Sequence, residues 1–464
     1  MRTLFVILVT AIGLAATVFS DAFYGVLLYT FYCFASPLEL LWGALEGSRL
    51  SFIVAGTAII CAFIQGKKLF IKHRLVFLLA LFLFISYSSL AVRHDASSAD
   101  WDKLELLSRI IIVSIFTAAL IDTAEKLRVY ILAVAAFTGI LGAYYGIWGL
   151  FAGSQQIAGP GRVGDNNGYA VWLNMSIPFI YYAGLQLKDK SWRILAKIVL
   201  LGNMIAVMLT FSRGGFIALL VASVMMFVSV KKKVILFAGI IFVAFIAMFL
   251  TLSGQPVDHN EPTLSKEEIN EMQTVDKTVY QYKQRINTLF LPKEEVESAV
   301  SRAYFWGIAV KMAKDNPLLG VGLNRYPATY DLYDTTGGEF GNGRHVHSVP
   351  FLVLSETGYL GFATFIILIV SYLTATGRAK KISGGFSDTI LKKEIYDYVV
   401  MLRISTVAFL VGGLFVNAPL YQEMFWAIII VALALDRVTQ RINAGEAVEE
   451  NPFIKNLSER IFGR

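Results

Sequence analysis

Apolar runs of membrane-spanning length recur along the chain, separated by short polar connections. Val234 to Leu252 and Phe351 to Leu373 are the plainest, each long enough to cross a hydrocarbon core of ~30 Å as a helix. The runs are continuous rather than alternating, which argues against a transmembrane β-barrel. Further spans are predicted near 51–65, 75–92, 105–121, 129–151, 169–186, 194–211 and 215–230, and then near 399–417 and 421–436. Segments near 3–20 and 23–45 are also apolar. Pro37 and the polar Ser20-Asp21 break make one of them a half-span, or the two a tightly bent pair. With both termini on one side, the total is about twelve spans.

The large interruption runs from 253 to 346. It separates N-terminal transmembrane helices (1–252) from C-terminal ones (347–436), and a charged tail (437–464) follows. Gln255 to Asp276 is polar and acidic, with no apolar period. From Lys277 to Lys314 the pattern turns helical, and Ala299, Arg302, Trp306, Ala309 and Met312 recur at three- and four-residue steps. Asn316-Pro317 ends that helix, and a glycine- and tyrosine-rich loop leads to His347. Such a segment is expected to pack as a lid on the bundle rather than fold alone. No internal repeat is evident, which weakens a transporter built from inverted repeats.

Composition agrees with this class: 56% of residues are hydrophobic, 16% are charged, and the mean hydropathy is +0.61. The net charge of +7 is explained by where it falls. Basic residues crowd into the connections at 67–74, 126–128, 188–193, 231–233 and 378–393. The alternate short loops hold only Arg49, Arg93, Lys103, Arg162 and Arg213. The positive-inside rule puts the first set in the cytoplasm and the second outside, with the large loop. A nucleic-acid partner is not required. An uncleaved first span is favoured over a signal peptide, because another apolar segment follows at once. Cys33 and Cys61 sit in apolar segments and read as small buried hydrophobes.

Candidate chemistry gathers on the outer side. Arg162 lies in Gly159-Pro160-Gly161-Arg162-Val163-Gly164-Asp165, Arg213 in Phe211-Ser212-Arg213-Gly214-Gly215, and Arg302 on the loop helix. Interfacial arginines commonly snorkel to lipid phosphates. Together, however, their forks can neutralise a diphosphate without a metal ion. His347 precedes Ser348 and Pro350, which suit a helix N-cap and first turn. The helix dipole there favours a neutral imidazole, able to take a proton from a hydroxyl. His345 and His347 could share a metal, but no third ligand lies nearby, and Asp331 and Asp334 read as turn residues. Glu356, two turns further on, needs a polar partner at that depth.

His347-Ser348, nine residues, then Gly358 and Gly361 resemble the signature of the O-antigen ligase superfamily. Asn316-Pro317-Leu318-Leu319-Gly320-Val321-Gly322 is similar to that family's loop before the histidine. Phe211-Ser212-Arg213-Gly214-Gly215 resembles its arginine-glycine motif, and Ser301-Arg302 to Trp306 its loop arginine. Ser36-Pro37-Leu38-Glu39 to Gly43 is loosely similar to O-glycosylation ligases.

The resemblance implies a GT-C-like membrane glycosyltransferase of the bacterial inner membrane, with its active site facing the periplasm. The donor would be a glycan on undecaprenyl diphosphate. The favoured acceptor is lipid A-core, which places the protein in lipopolysaccharide biosynthesis; a protein hydroxyl or a growing O-antigen polymer is the alternative. Carried onto this sequence, Arg162, Arg213 and Arg302 bind the diphosphate and His347 is the catalytic base. Ser348, His345 and Glu356 support it. The mechanism would be inverting, without metal or cofactor. A transporter or flippase of lipid-linked sugars is the reading from another class.

Overall fold

The computed structural model describes residues 2–37, 50–152, 157–160, 163–229, 297–446 and 451–463. The expected span at 234–252, the acidic stretch at 255–276 and Arg49 lie outside these residues. The first nine helices are α1 (Arg2–Phe19), α2 (Phe23–Phe34), α3 (Leu50–Ile64), α4 (Arg74–Ala91), α5 (Ser98–Leu120), α6 (Ala124–Ala152), α7 (Asn166–Gln186), α8 (Lys190–Leu209) and α9 (Arg213–Ser229). After them come the loop helices α10 (Glu297–Asp315) and α11 (Tyr326–Tyr333), then α12 (Val349–Ser383), α13 (Thr389–Gly413), α14 (Glu423–Asn443) and a tail helix α15 (Pro452–Phe462). No strand occurs among the described residues.

Side-chain caps fix several helix starts. Ser97 and Asp100 form a reciprocal capping box on α5, Asp165 caps α7 through the Gly168 N–H at 2.7 Å, and Asp388 caps α13.

Two helices form the interior. Every residue of α7 from Gly168 to Ile180 is buried, as is every residue of α14 from Glu423 to Asp436. The outer helices turn large apolar side chains outward instead. Phe77 and Phe84, seven residues apart on α4, are 66% and 69% exposed, and Ile140 and Val228 are similarly bare. An apolar exterior around a polar-bearing interior is what a hydrocarbon solvent selects. Helices α4, α6, α8, α12 and α13 are long and apolar enough to cross a membrane, while α1, α2, α3 and α9 are apolar but shorter. The spans expected at 105–121, 169–186 and 421–436 fall in α5, α7 and α14. These helices are long but more polar, since Asn174, Ser176 and Asp436 face protein rather than lipid. Cys33 and Cys61 are free thiols.

The connections sort to two ends. At one, the basic end, the Asp21 carboxylate takes Lys67 Nζ at 3.0 Å and Lys126 Nζ at 3.4 Å. Arg128 pairs with Glu394 at 2.7 Å. Asp436, fully buried, accepts from His73 Nε2 at 2.9 Å and from Arg378 Nε at 3.0 Å. At the other, the loop end, meet the α4–α5 turn, the α8–α9 turn, the loop helices and the α13–α14 turn.

The N-terminal segments form the tightly bent pair, antiparallel, with Gly13 against Leu28 and Thr17 against Gly25. Their turn at Asp21 is held at the basic end, and Asn451 of the tail reaches Ser20 there at 3.5 Å. The start of α1 therefore points away from the tail. This corrects the expectation that both termini lie on one side: the pairing of Asp21 with two lysines sets the direction.

Asp436→Ala would leave Arg378 and His73 without their buried acceptor. Because Arg378 is half exposed, the expected loss is about 2 kcal/mol, read as a lower thermal midpoint in detergent. An unchanged midpoint would show that the clamp contributes nothing.

Candidate active site

The turn between α8 and α9 is three residues long. Phe211 adopts a positive φ of 53°, a left-handed conformation that only a constrained site keeps in a bulky residue. Ser212 Oγ then accepts the Gly215 N–H at 3.1 Å, capping α9. A Cβ on Gly215 would sit 2.4 Å from Ala170, and one on Gly214 would sit 2.7 Å from the Phe415 ring. The two glycines let the helix start close against α7 and the α13–α14 turn. Arg213 is thereby set in the first turn of α9 at the loop end.

The lid helix α10 buries Phe305, Ile308, Ala309 and Met312 against Tyr326, Tyr330, Val346 and Leu352. This face is rotated from the expected stripe. Trp306 flanks it, stacked on Phe351 at 5.0 Å, while Phe305 takes the inward position. Arg302 lies one turn before Phe305, its guanidinium 5.8 Å from the centre of the Phe415 ring. Burial lowers its pKa, and the charge of Arg213 lowers it further. The two arginines, 89 residues apart in sequence, have been brought together. Arg162 lies outside the described residues.

The loop after α10 docks across a break in α12. Gly358 has φ 66° and ψ −168° inside that helix. The Val321 N–H donates to Ser355 O at 2.8 Å, Gly322 N–H to Glu356 O at 3.1 Å and Tyr359 N–H to Pro317 O at 2.7 Å. The crossing is so close that a Cβ on Gly320 would lie 2.4 Å from Ser355 O, and one on Gly358 would lie 2.7 Å from Gly320 N. Both glycines are also at positive φ. Gly361 leaves room for the Thr357 hydroxyl, which a Cβ there would meet at 2.0 Å.

Glu356 is buried in this crossing. Its Oε1 accepts the Tyr326 N–H at 3.2 Å, and its carbonyl accepts Ser89 Oγ at 2.6 Å. These contacts tie it to the loop backbone and to a serine, so it holds the loop. The loop is also anchored sideways. Arg93 Nη2 donates to Asn316 Oδ1 at 2.7 Å and to Gly320 O. Arg325, buried, donates to Asp95 O at 2.7 Å, to the Asp95 carboxylate and to Asp100 Oδ2 at 3.3 Å. Asn324, at φ 64°, reaches Asp100 Oδ1 at 3.0 Å.

His347 follows this frame at φ 49°. Its ring lies 6.4 Å from Phe305 and 6.3 Å from His345. Ser348 occupies the N-cap position of α12, yet its side chain caps nothing: its Oγ is buried without a hydrogen-bond partner, while its N–H donates to Asn417 Oδ1 at 2.9 Å. This corrects the expected Ser348 side-chain cap. Its φ of −162° and ψ of 123° depart from the −82° and 163° at which Ser97 caps α5. Burial pushes the His347 pKa below its usual value, with the charge of Arg302 next and those of His345 and Arg344 adding to it; Asp165 opposes them. The neutral imidazole expected from a helix dipole is therefore favoured here by burial and neighbouring cations. His345 is exposed, and its pKa is lowered by partial burial and by Lys103.

Among the described residues no group of three or more His, Cys, Asp or Glu is placed to hold a metal ion. Asp334 accepts from Tyr304 Oη at 2.7 Å and from the Thr336 and Gly338 N–H groups, and Asp331 from Gly343 N–H at 2.9 Å, so both serve their loop. Of the residues that sequence reasoning passed over, Asp100 had a local signal, the Ser97-x-x-Asp100 capping pattern. Arg93, Asp95 and Arg325 had none, since their partners lie more than two hundred residues away.

The helical bundle with its apolar exterior, and the polar loop end that carries clustered arginines and a histidine, define a multi-pass membrane protein. Residues 195–366 match the family model described as O-Antigen ligase, which supports the resemblance to the O-antigen ligase superfamily. Residues 1–167 match a second model, described as Family of unknown function (DUF5935). No curated protein matches the chain.

Gly320→Ala would force a Cβ into the α12 backbone at a positive φ. The conformational strain alone costs about 1–2 kcal/mol, so the loop should lift off the break. Amide hydrogen exchange at Val321, Gly322 and Tyr359 should then rise; unchanged protection would contradict the crossing. The histidine makes a second prediction. With histidine-selective 13C labelling, the resonance that disappears in His347→Gln should titrate below about 6.5, and should move up in Arg302→Gln as a lowering charge is removed. A midpoint above that value would contradict the described electrostatics.

Proposed function

We propose that the chain transfers a glycan from undecaprenyl diphosphate to an acceptor hydroxyl, acting in the bacterial inner membrane with its loop end toward the periplasm. The observation that carries this reading is the juxtaposition of Arg213 and Arg302 beside His347. Two half-buried guanidinium groups whose charges disfavour one another gain from an anion between them, and their forks match phosphate oxygens. A diphosphate leaving group carries charge of that kind, and Arg162 is proposed as a third contact.

In the proposed step an imidazole nitrogen of His347 takes the acceptor's hydroxyl proton. The acceptor oxygen forms its bond to the anomeric carbon from the face opposite the diphosphate. The carbon–oxygen bond to the diphosphate breaks, and its electrons leave on the phosphate oxygen held by the arginines. The anomeric centre inverts, and the chemistry asks for neither a metal nor a cofactor. A lowered pKa suits the base, because it is neutral at pH 7 and is lost only as pH falls through that lowered value. His345 and Ser348 are proposed to line the acceptor side, and Glu356 to keep the loop in place. The arrangement fits a GT-C-like transferase.

Lipid A-core is the favoured acceptor. Protein transfer and repeat-unit polymerisation use the same chemistry, with another hydroxyl in that place. A flippase would spread its cations along a path through the bundle, whereas Arg213, Arg302, Arg325 and Arg93 all gather at the loop end.

His347→Ala should lower transfer by about a hundred- to ten-thousand-fold while donor binding persists, and Arg213→Lys should weaken donor binding by at least about tenfold. Both are read with purified protein, undecaprenyl-diphosphate glycan and the three acceptor classes side by side. Full activity in the histidine variant, or inhibition of the wild type by a chelator, would sink the mechanism.

A further inference from the structure

A groove of about 430 Å³ opens at the basic end between α6, α7 and α8, remote from the loop end. Its walls are apolar, built from Leu132, Ala136, Ile140, Ile180, Ala196 and Val199. The small residues Ala136 and Ala196 make the space. Ile140 is 62% exposed, so the groove is open sideways to the surroundings of the bundle. The volume falls in the range of small-molecule sites.

Its mouth has a different chemistry. Asp189, Trp192, Arg460 and Ile461 line it. Trp192 is 58% exposed, as an aromatic ring at the level of lipid head groups would be. Lys188, Lys190 and Arg193 adjoin it in sequence, all exposed. The tail helix α15 is held against this mouth, with the Lys188 N–H donating to Ile461 O at 2.9 Å. It buries Ile454 and Phe462 against the bundle and leaves Phe453 71% exposed. A helix of that kind, apolar on one side and basic near its end, lies in a membrane interface.

We propose that this groove is a binding site for an anionic phospholipid of the basic-end leaflet, one acyl chain lying along the α6–α8 walls and the phosphate head group meeting Arg193 and Arg460. The charge at the mouth selects the occupant. Arg460 lines the mouth and the exposed Lys188, Lys190 and Arg193 flank it in sequence, against Asp189 in the lining and Glu459 beside Arg460, so a zwitterionic lipid gains the apolar contact and loses the electrostatic one. The tail helix supplies Arg460, which ties the tail's docking to the lipid. The site is independent of the transfer reaction at the loop end.

The test uses full-length protein in detergent with dioleoyl phosphatidylglycerol or dioleoyl phosphatidylcholine, lipid retention being counted by native mass spectrometry. Wild type should keep one phosphatidylglycerol with about tenfold preference over phosphatidylcholine. Arg193→Glu with Arg460→Glu should abolish the preference, and Ala196→Phe should expel the lipid by filling the groove. Quenching of tryptophan fluorescence by acyl-brominated phosphatidylglycerol keeps the proposal falsifiable without the groove-filling variant, since Trp192→Phe should remove a quenched component. Equal retention of the two lipids by wild type, or equal quenching with and without Trp192, would overturn it.

Discussion

The backbone of residues 316–322 crosses α12 where that helix breaks at Gly358, with Gly320 and Gly358 facing one another at a distance that admits no Cβ on either side. Most of the loop end is arranged around this crossing. The break frees carbonyls at Ser355 and Glu356, and the loop's N–H groups at Val321 and Gly322 take them up, so the groups freed at the break find partners in the loop. From there the chain can run through Asn324 and Arg325 into α11 and return to α12 at His347. Because the loop and the helix satisfy each other, Glu356 is fixed within α12 and His347 is held just ahead of its first residue.

Backbone strain follows the same geography. Of four non-glycine residues with positive φ among those described, Phe211, Asn324 and His347 are at the loop end. Each lies just ahead of a helix start that carries a titratable side chain: Phe211 before Arg213 of α9, Asn324 before Arg325 at the cap of α11, and His347 itself before α12. Left-handed conformations at such residues cost about 1 kcal/mol or more each and persist only where the surroundings over-determine them. The bracing is visible in Arg325 on Asp95 and Asp100, in Arg93 on Gly320, and in Ser348 on Asn417. Electrostatics add to the tension, since Arg213, Arg302 and His347 disfavour positive charge on one another. On the proposed reading, an anion between the arginines would relieve that repulsion.

Local features were legible in the sequence. Apolar periodicity located the helices and the glycines beside Arg213 announced a close approach, whereas Phe351 to Leu373 reads as one continuous span although the helix breaks at Gly358. What depended on distant pairs was not legible. The partners of Arg325 lie 225 and 230 residues away, and no local pattern of charge or turn chemistry announces them. The direction of α1 was misread for a related reason. The positive-inside rule counts lysines and arginines, whereas the α1–α2 turn carries an aspartate, drawn to the basic end by Lys67 and Lys126. The inward face of α10 turned on its tertiary partners, Tyr326, Tyr330, Val346 and Leu352: period alone does not tell whether Phe305 or Trp306 points inward.

Helix α12 joins the two ends and explains why they can differ so much in character. At the loop end it is broken and bound by backbone hydrogen bonds, and at the basic end Arg378 ties it to the buried Asp436 of α14, which His73 of the α4 N-terminus also holds. A helix fixed at both termini cannot slide or rotate to accommodate a ligand, so adaptation to different acceptors has to fall to segments that rest on it without being built into it. The stretch from 334 to 345, rich in glycine and held through Asp331 and Asp334 to its own turns, is such a segment. On physical grounds the proposed chemistry at His347 and the proposed choice of hydroxyl are therefore separable. The first depends on a rigid crossing, the second on a loop that the crossing merely supports.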